Sequence, residues 1–250
     1  MNTKPIIIIA AEPNSIFSEI FFKVLKKNKF QKPIILIASY KLFKHQMDIL
    51  KYNFSFNKID KKFKIGDLKN NKINIIDIDF KYKKPFDKIS TSSNYYNQKC
   101  FELVLKLLKK YKFSGLINGP ISKRHFLKNK FLGMTEYFAK KTNSKNYAML
   151  IFNQNLSVSP ITTHVPLKNV SKLISQKKII NHVSLLKKFY KKYFKKDVKI
   201  AITGLNPHCE SNFFNSEEEK IIKPAIKNLK KRYKNIFGPY SADSLFISTN

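Results

Sequence analysis

Two histidines stand where strand-like segments break into loops. Val198 to Thr203 is a short apolar, β-branched run, and Gly204-Leu205-Asn206-Pro207-His208 stops it with a glycine and an Asn-Pro pair. This reads as a buried strand ending in a tight turn, with His208 at the carboxyl edge, where open α/β sheets place ligands. Leu156 to Thr162 delivers a second histidine in the same way, in Thr162-Thr163-His164-Val165-Pro166-Leu167. Two imidazoles on two proline-flanked loops are the start of a preformed metal site, which still needs a third partner. The competing reading is two loop histidines with nothing between them. Asn118-Gly119-Pro120-Ile121-Ser122-Lys123 follows another short strand, so Lys123 is expected near the same edge, or else as one more solvated lysine. Cys209 adjoins His208, but side chains of neighbouring residues in an extended turn diverge, which leaves it a bystander. His182 falls off the apolar stripe of its helical segment and reads as structural. Ser216-Glu217-Glu218-Glu219 has capping-box spacing, so its carboxylates read as helix-starting residues rather than catalytic acids.

The elements that must position these residues alternate strand and helix. Ile6 to Ile9 is an all-isoleucine run, expected as a central strand buried on both faces. Ile16, Ile20 and Val24 then recur at helical spacing, Ile34 to Ala38 reads as a strand, and Tyr40 to Leu50 as an amphipathic helix. The Lys- and Asn-rich stretch from Asn53 to Lys72 has weak periodicity and is expected to be irregular. Ile73 to Ile78 is a strand, and Asn94 to Tyr111 a helix with Phe101, Leu105 and Leu108 on one stripe. Gly115 to Ile117 is a strand, and Ala148 to Phe152 with Leu156 to Thr162 reads as a hairpin around Asn153-Gln154-Asn155. Ile179, Val183, Leu186 and Tyr190 keep a helical stripe, with Lys187, Lys188, Lys191 and Lys192 facing water. Pro224 implies a kink in the helix that follows the glutamates. Strand–helix alternation of this kind predicts an α/β fold.

Composition narrows the function classes. The 250 residues can bury a sizeable core. No apolar run approaches the length that spans a bilayer. Met1 to Pro5 enters a strand without a signal-peptide core, and two cysteines are too few for a disulfide framework, so a cytoplasmic protein is expected. The formal net charge of +33 invites a nucleic-acid partner. Yet Arg124 and Arg232 are the only arginines among 49 basic residues, and arginine is the side chain that forks onto phosphates and guanine edges. The lysines are spread along the whole chain, the pattern of a solvated surface, and neither a specific nucleic-acid role nor a membrane partner is expected.

Five loops taken together resemble one family. Asn118-Gly119-Pro120-Ile121-Ser122-Lys123, Gly133-Met134-Thr135-Glu136, Thr162-Thr163-His164-Val165-Pro166-Leu167, Gly204-Leu205-Asn206-Pro207-His208 and Gly238-Pro239-Tyr240-Ser241-Ala242-Asp243 occur in order along nearly the whole chain. They resemble the 4-hydroxythreonine-4-phosphate dehydrogenase family of vitamin B6 biosynthesis. The resemblance implies two α/β/α domains with a cleft between them, an isocitrate dehydrogenase-like architecture. Residues 1–117 with 238–250 would form the first domain and 118–237 the second. It implies a cytoplasmic homodimer that oxidises a phosphorylated small molecule with NAD or NADP and a divalent metal, zinc, magnesium or cobalt. His164 and His208 match two of the family's metal-binding histidines, and Thr135 a substrate-binding threonine. Asp243 matches an acidic residue of the active-site cleft, and Lys123 a lysine of the Gly-Pro loop, both expected to be catalytic.

The departures are informative too. Met134 stands where family members have a substrate-contacting histidine, and methionine neither titrates nor donates. Ala11, Ser15 and Phe17 stand where the family's N-terminal loop is glycine-rich. Family members continue past the position of Asn250 through a third metal-binding histidine, so a chain shortened at its C-terminus is expected. The function implied is oxidation of 4-phosphooxy-L-threonine to a β-keto acid that decarboxylates to 3-amino-2-oxopropyl phosphate. The alternatives are a dehydrogenase for another phosphorylated hydroxy acid, of phospho-erythronate type, and an inactive relic acting as a dimerising or binding protein.

Overall fold

The computed structural model describes residues 4–127, 130–209 and 215–247. The chain divides into two compact units, Met1–Lys130 and Phe131–Asn250. This division falls later than the expected boundary after residue 117, and it leaves residues 238–247 with the second unit; residues 248–250 of that expected segment lie outside the described residues.

In the first unit, β1 (Ile6–Ile9), β2 (Ile34–Ala38), β3 (Phe56–Lys58), β4 (Ile73–Asp77) and β5 (Gly115–Asn118) form a parallel sheet in the order β3-β4-β2-β1-β5. Ile7, Ile9, Ile35, Leu36, Ile37, Ile75 and Ile76 are fully buried, as a sheet covered on both faces requires. Helices α1 (Phe17–Lys27), α2 (Tyr40–Ile49) and α3 (Thr91–Lys110) supply the cover, and the five-residue α4 (Lys123–Leu127) follows β5. Strand order reverses between β1 and β5, which makes their carboxyl ends the switch point.

The face of α1 is not the expected one. Ile16, Ile20 and Val24 are exposed, and Phe17, Phe21 and Phe22 are buried against Phe43 of α2, the Phe22 and Phe43 ring centroids 4.8 Å apart. Two apolar stripes compete on this segment, and the aromatic one wins because it removes more area from water and adds ring contacts worth about 0.5–1.5 kcal/mol a pair. On α3 the buried stripe is Tyr96, Cys100, Phe101, Val104 and Leu107, so only Phe101 of the expected three is fully buried. Burial pushes the Cys100 thiol up to about 12, which leaves it unreactive.

The lysine-rich excursion between α2 and β4 contains β3 and is more ordered than expected. Its anchor is Asn74, fully buried on β4. The Asn74 carbonyl accepts from Asn57 Nδ2 and Lys69 N, each at 2.8 Å, and its amide donates to Ile34 O and Lys69 O, each at 3.0 Å.

In the second unit, α5 (Met134–Lys141) and α6 (Gln176–Phe194) precede β6 (Ile200–Thr203), and α7 (Lys223–Lys230) precedes β7 (Ile236–Tyr240). β6 and β7 form a two-stranded parallel sheet. The expected buried strand is therefore half-exposed, its inner side chains Ile200 and Ile202 packing on Ile179, Val183, Ile226, Leu229 and Ile236. The expected hairpin reduces to one antiparallel bridge, Ile151 to Val158. Lys187 does not face water: it is 5% exposed, and its Nζ donates to Asp197 Oδ1 at 2.7 Å and Val198 O at 2.8 Å. Pro224 sits at the start of α7, and a wide turn of π type over Glu218–Ile222 precedes it, which takes up the backbone irregularity expected as a kink. Among the described residues, no helix is long and apolar enough to cross a membrane.

Candidate active site

At the switch point of the first unit, the loops after β1 and β5 hold each other. Gly119 N donates to Ile9 O at 2.8 Å and Glu12 N to Pro120 O at 3.0 Å. A Cβ on Gly119 would collide with the Ala10 carbonyl and the Phe17 ring, so only glycine lets these two loops lie side by side. Ala11 takes a left-handed backbone, φ 59°, to make the turn. The Glu12 side chain is buried, and its carboxylate accepts from Asn97 Nδ2 at 3.1 Å and Asn14 N at 3.3 Å. This framework places Lys123, the first residue of α4, exposed beyond the Gly119-Pro120 loop.

The remaining expected site residues are all in the second unit, on three loops. The first opens α5. Met134 and Thr135 are half-buried in its first turn, and Thr135 lines a cavity of about 370 Å³ shared with Thr162, Thr163, Lys178 and His182. Glu136, also in that turn, accepts a hydrogen bond from the Thr163 hydroxyl at 2.5 Å, which ties α5 to the second loop. That loop carries His164, exposed and left-handed with φ 55°. The His164 ring lies against Gly133: a Cβ there would stand 2.9 Å from His164 Cε1 and 3.0 Å from Nδ1.

The third loop leaves β6. His208 and Cys209 are both left-handed, φ 59° and 57°, an uncommon pairing for residues with side chains, and held open only by firm surroundings. Glu218 supplies the firmness. It is 1% exposed; its Oε1 accepts from Leu205 N at 2.7 Å and Asn206 N at 2.8 Å, and its Oε2 from Asn206 Nδ2 at 2.6 Å. Burial works to raise the Glu218 carboxyl, but the Asn206 and Leu205 donors outweigh it and hold it below its ordinary value. Glu218 opens the helical turn over Glu218–Ile222, as its spacing suggested, with Ser216 Oγ accepting from Glu219 N at 3.3 Å; its side chain also caps the turn that presents His208. No sequence signal separates it from its neighbouring glutamates, except that a Gly-Leu-Asn-Pro turn has donors to satisfy.

His208 Nδ1 lies 3.5 Å from Asp243 Oδ2, both side chains exposed. Asp243 also accepts from the Ser241 hydroxyl, and that bond first, the His208 imidazole next, holds its carboxyl below the usual range. His182, read as structural, is in fact anchored: its Nε2 lies 2.7 Å from Ser159 Oγ. Burial, then Lys178, lowers its pKa.

Imidazole and carboxylate are the donor types of divalent metal sites. Among the described residues, however, no group of three or more His, Cys, Asp or Glu side chains is placed to hold an ion. His208 has Asp243 beside it, and His164 has Gly133 and Glu136. The donors fit a metal in kind but not in number.

The profile of the family described as pyridoxal phosphate biosynthetic protein PdxA matches residues 29–250. The 4-hydroxythreonine-4-phosphate dehydrogenase of a Sulfurihydrogenibium species is 32% identical over 247 residues, 96% of this chain and 74% of that protein. A protein of Oceanobacillus iheyensis, provisionally named D-threonate 4-phosphate dehydrogenase, is 29% identical over 255 residues, 99% of this chain and 77% of that one. The crystal structure of the Klebsiella pneumoniae 4-hydroxythreonine-4-phosphate dehydrogenase superposes with a TM-score of 0.78 at 22% identity, covering 98% of this chain and 77% of that one. That likeness is one of fold.

Proposed function

The chain belongs to the pyridoxal phosphate biosynthetic protein PdxA family, and from that membership we propose that it oxidises the secondary hydroxyl of 4-phosphooxy-L-threonine. The products are a β-keto acid, which loses carbon dioxide to give 3-amino-2-oxopropyl phosphate, and a reduced nicotinamide. The observation that carries this reading is the run of five matching loops inside a family match that spans most of the chain. NAD, or NADP, supplies the hydride acceptor when bound. A divalent metal is part of the proposal, with His164 and His208 as two of its donors.

The remaining roles concern this chain's own side chains. Thr135, with Met134 beside it, is the proposed substrate contact, and Thr135 lines a cavity with room for a small phosphorylated acid. Asp243 is the proposed acceptor of the substrate's hydroxyl proton. Its carboxyl, held low by Ser241, is ionised at neutral pH and able to accept. Lys123 is the proposed cation for the substrate's phosphate or developing negative charge. The active form is proposed to be a cytoplasmic homodimer.

A second reading has its own support. The Oceanobacillus relative carries a threonate name, and Met134 replaces a polar family contact. A phosphorylated hydroxy acid without the amine would then be the substrate. The test is NAD reduction by the purified chain, with added divalent metal, on 4-phosphooxy-L-threonine, D-threonate 4-phosphate and phospho-erythronate in parallel. Turnover of the amino compound together with 3-amino-2-oxopropyl phosphate supports the first reading. Turnover confined to the hydroxy acids replaces it with the second. No turnover on any, with the chain folded, leaves a binding protein.

A further inference from the structure

Glu136 has one oxygen accounted for and one not. Its Oε1 accepts from Thr163, and its Oε2 is buried without a hydrogen-bond partner among the described residues. A buried carboxylate oxygen lacking a donor is uncommon in folded proteins and calls for one. The space that a Cβ on Gly133 would occupy is crowded by three atoms, Glu136 Oε2 at 2.9 Å and, on the His164 ring, Cε1 at 2.9 Å and Nδ1 at 3.0 Å. Of these three atoms, the ring nitrogen is the one that can donate a hydrogen bond to the carboxylate. His164 is exposed, so its ring turns with little resistance.

We infer that Glu136 is the positioning residue for His164: its Oε2 accepts the His164 Nδ1 proton, which fixes one tautomer and leaves Nε2 as the unprotonated nitrogen. Thr163, next to His164 in the chain, fixes the other end of the carboxylate, so the hydroxyl, the carboxylate and the ring form one relay of hydrogen bonds. Carboxylates that orient working histidines through the second nitrogen are a recurrent arrangement. Gly133 is required because any side chain there would part the two groups. Met134 and Thr135, the proposed substrate contacts, lie between Gly133 and Glu136 on the same helical turn, so the carboxylate couples ring orientation to that turn. The inference rests on the reading of His164 as a site residue for its purpose, though not for its test.

The test is imidazole nitrogen NMR of the 250-residue chain at mildly alkaline pH, with His164 assigned by its disappearance in His164→Gln. The expected spectrum shows Nδ1 protonated and Nε2 unprotonated. Glu136→Gln turns a donor toward the ring, so the pattern should invert to Nε2 protonated. Thr163→Val, which removes only the far hydrogen bond, should keep the wild-type pattern. An Nε2-protonated ring in the wild type, or a pattern unmoved by Glu136→Gln, overturns the inference. Should Glu136→Gln fail to fold, the wild-type tautomer decides by itself. NAD reduction is read separately: the expected tautomer without turnover would sink the functional reading and leave this one standing.

Discussion

Asp243 and Glu218 show how differently two carboxylates work around one histidine. Asp243 is exposed and faces His208 Nδ1, and its Ser241 bond keeps it ionised. Asp243→Asn keeps the shape and removes the acceptor. The expected outcome is a fall in kcat of about 100-fold or more with KM little changed, measured by NADH formation. Glu218 is buried, and its carboxylate accepts from the turn donors of Leu205 and Asn206. Glu218→Ala leaves the Leu205 and Asn206 donors unmet and should cost about 2 kcal/mol of stability in urea denaturation. Because the folded Glu218 carboxyl titrates below its unfolded value of 4.5, its contribution is complete above that value and disappears as pH falls through the lower folded one. The variant should therefore show a shallower loss of stability on acidification. That His164 and His208 stand on loops was legible from the glycine and prolines around them. Glu218 was not, because its role depends on burial and on backbone donors a dozen residues away.

At the scale of elements, strand positions were the most legible feature: β1 and β2 have the expected bounds because isoleucine runs of that length have few other uses. Helix faces were less so. On α1, spacing alone offered Ile16, Ile20 and Val24 as readily as Phe17 and Phe21, and the choice was made by the Phe43 ring across the contact. Lys187 was expected in water because lysine is nearly always there; Asp197 and the Val198 carbonyl, both beyond the end of its helix, made burial tolerable. β3 was missed because three residues have no period, and Asn74 holds the excursion that contains it. Asn74→Ala strips five hydrogen bonds at a buried position, those to Ile34, Asn57, Lys69 and Lys72. A loss of about 2–3 kcal/mol in chemical denaturation is expected, with exchange of the residue 56–69 amides accelerated ahead of β1 and β2.

For the whole molecule, the family match makes the chain a dehydrogenase; Lys123 lies in the first unit, and Thr135, His164, His208 and Asp243 lie in the second. The chain spans about three quarters of the length of the relatives described above. The described donors fall short of a closed metal set, so calorimetric titration with zinc is expected to show weak binding by the chain alone and tighter binding once the phosphorylated substrate adds its oxygens. Equal affinity with and without substrate would count against a shared site. Analytical ultracentrifugation is expected to give the mass of a dimer.

The order of strands in the first unit also has a bearing on how the protein is made. β1 leaves the ribosome before the other described strands, and its two neighbours arrive far apart, β2 at residue 34 and β5 only at residue 115. For most of that interval a run of four isoleucines offers one bare edge to any other nascent chain. Synthesis arrested before residue 115 should therefore yield sticky, protease-sensitive chains, and arrest well after residue 118 resistant ones.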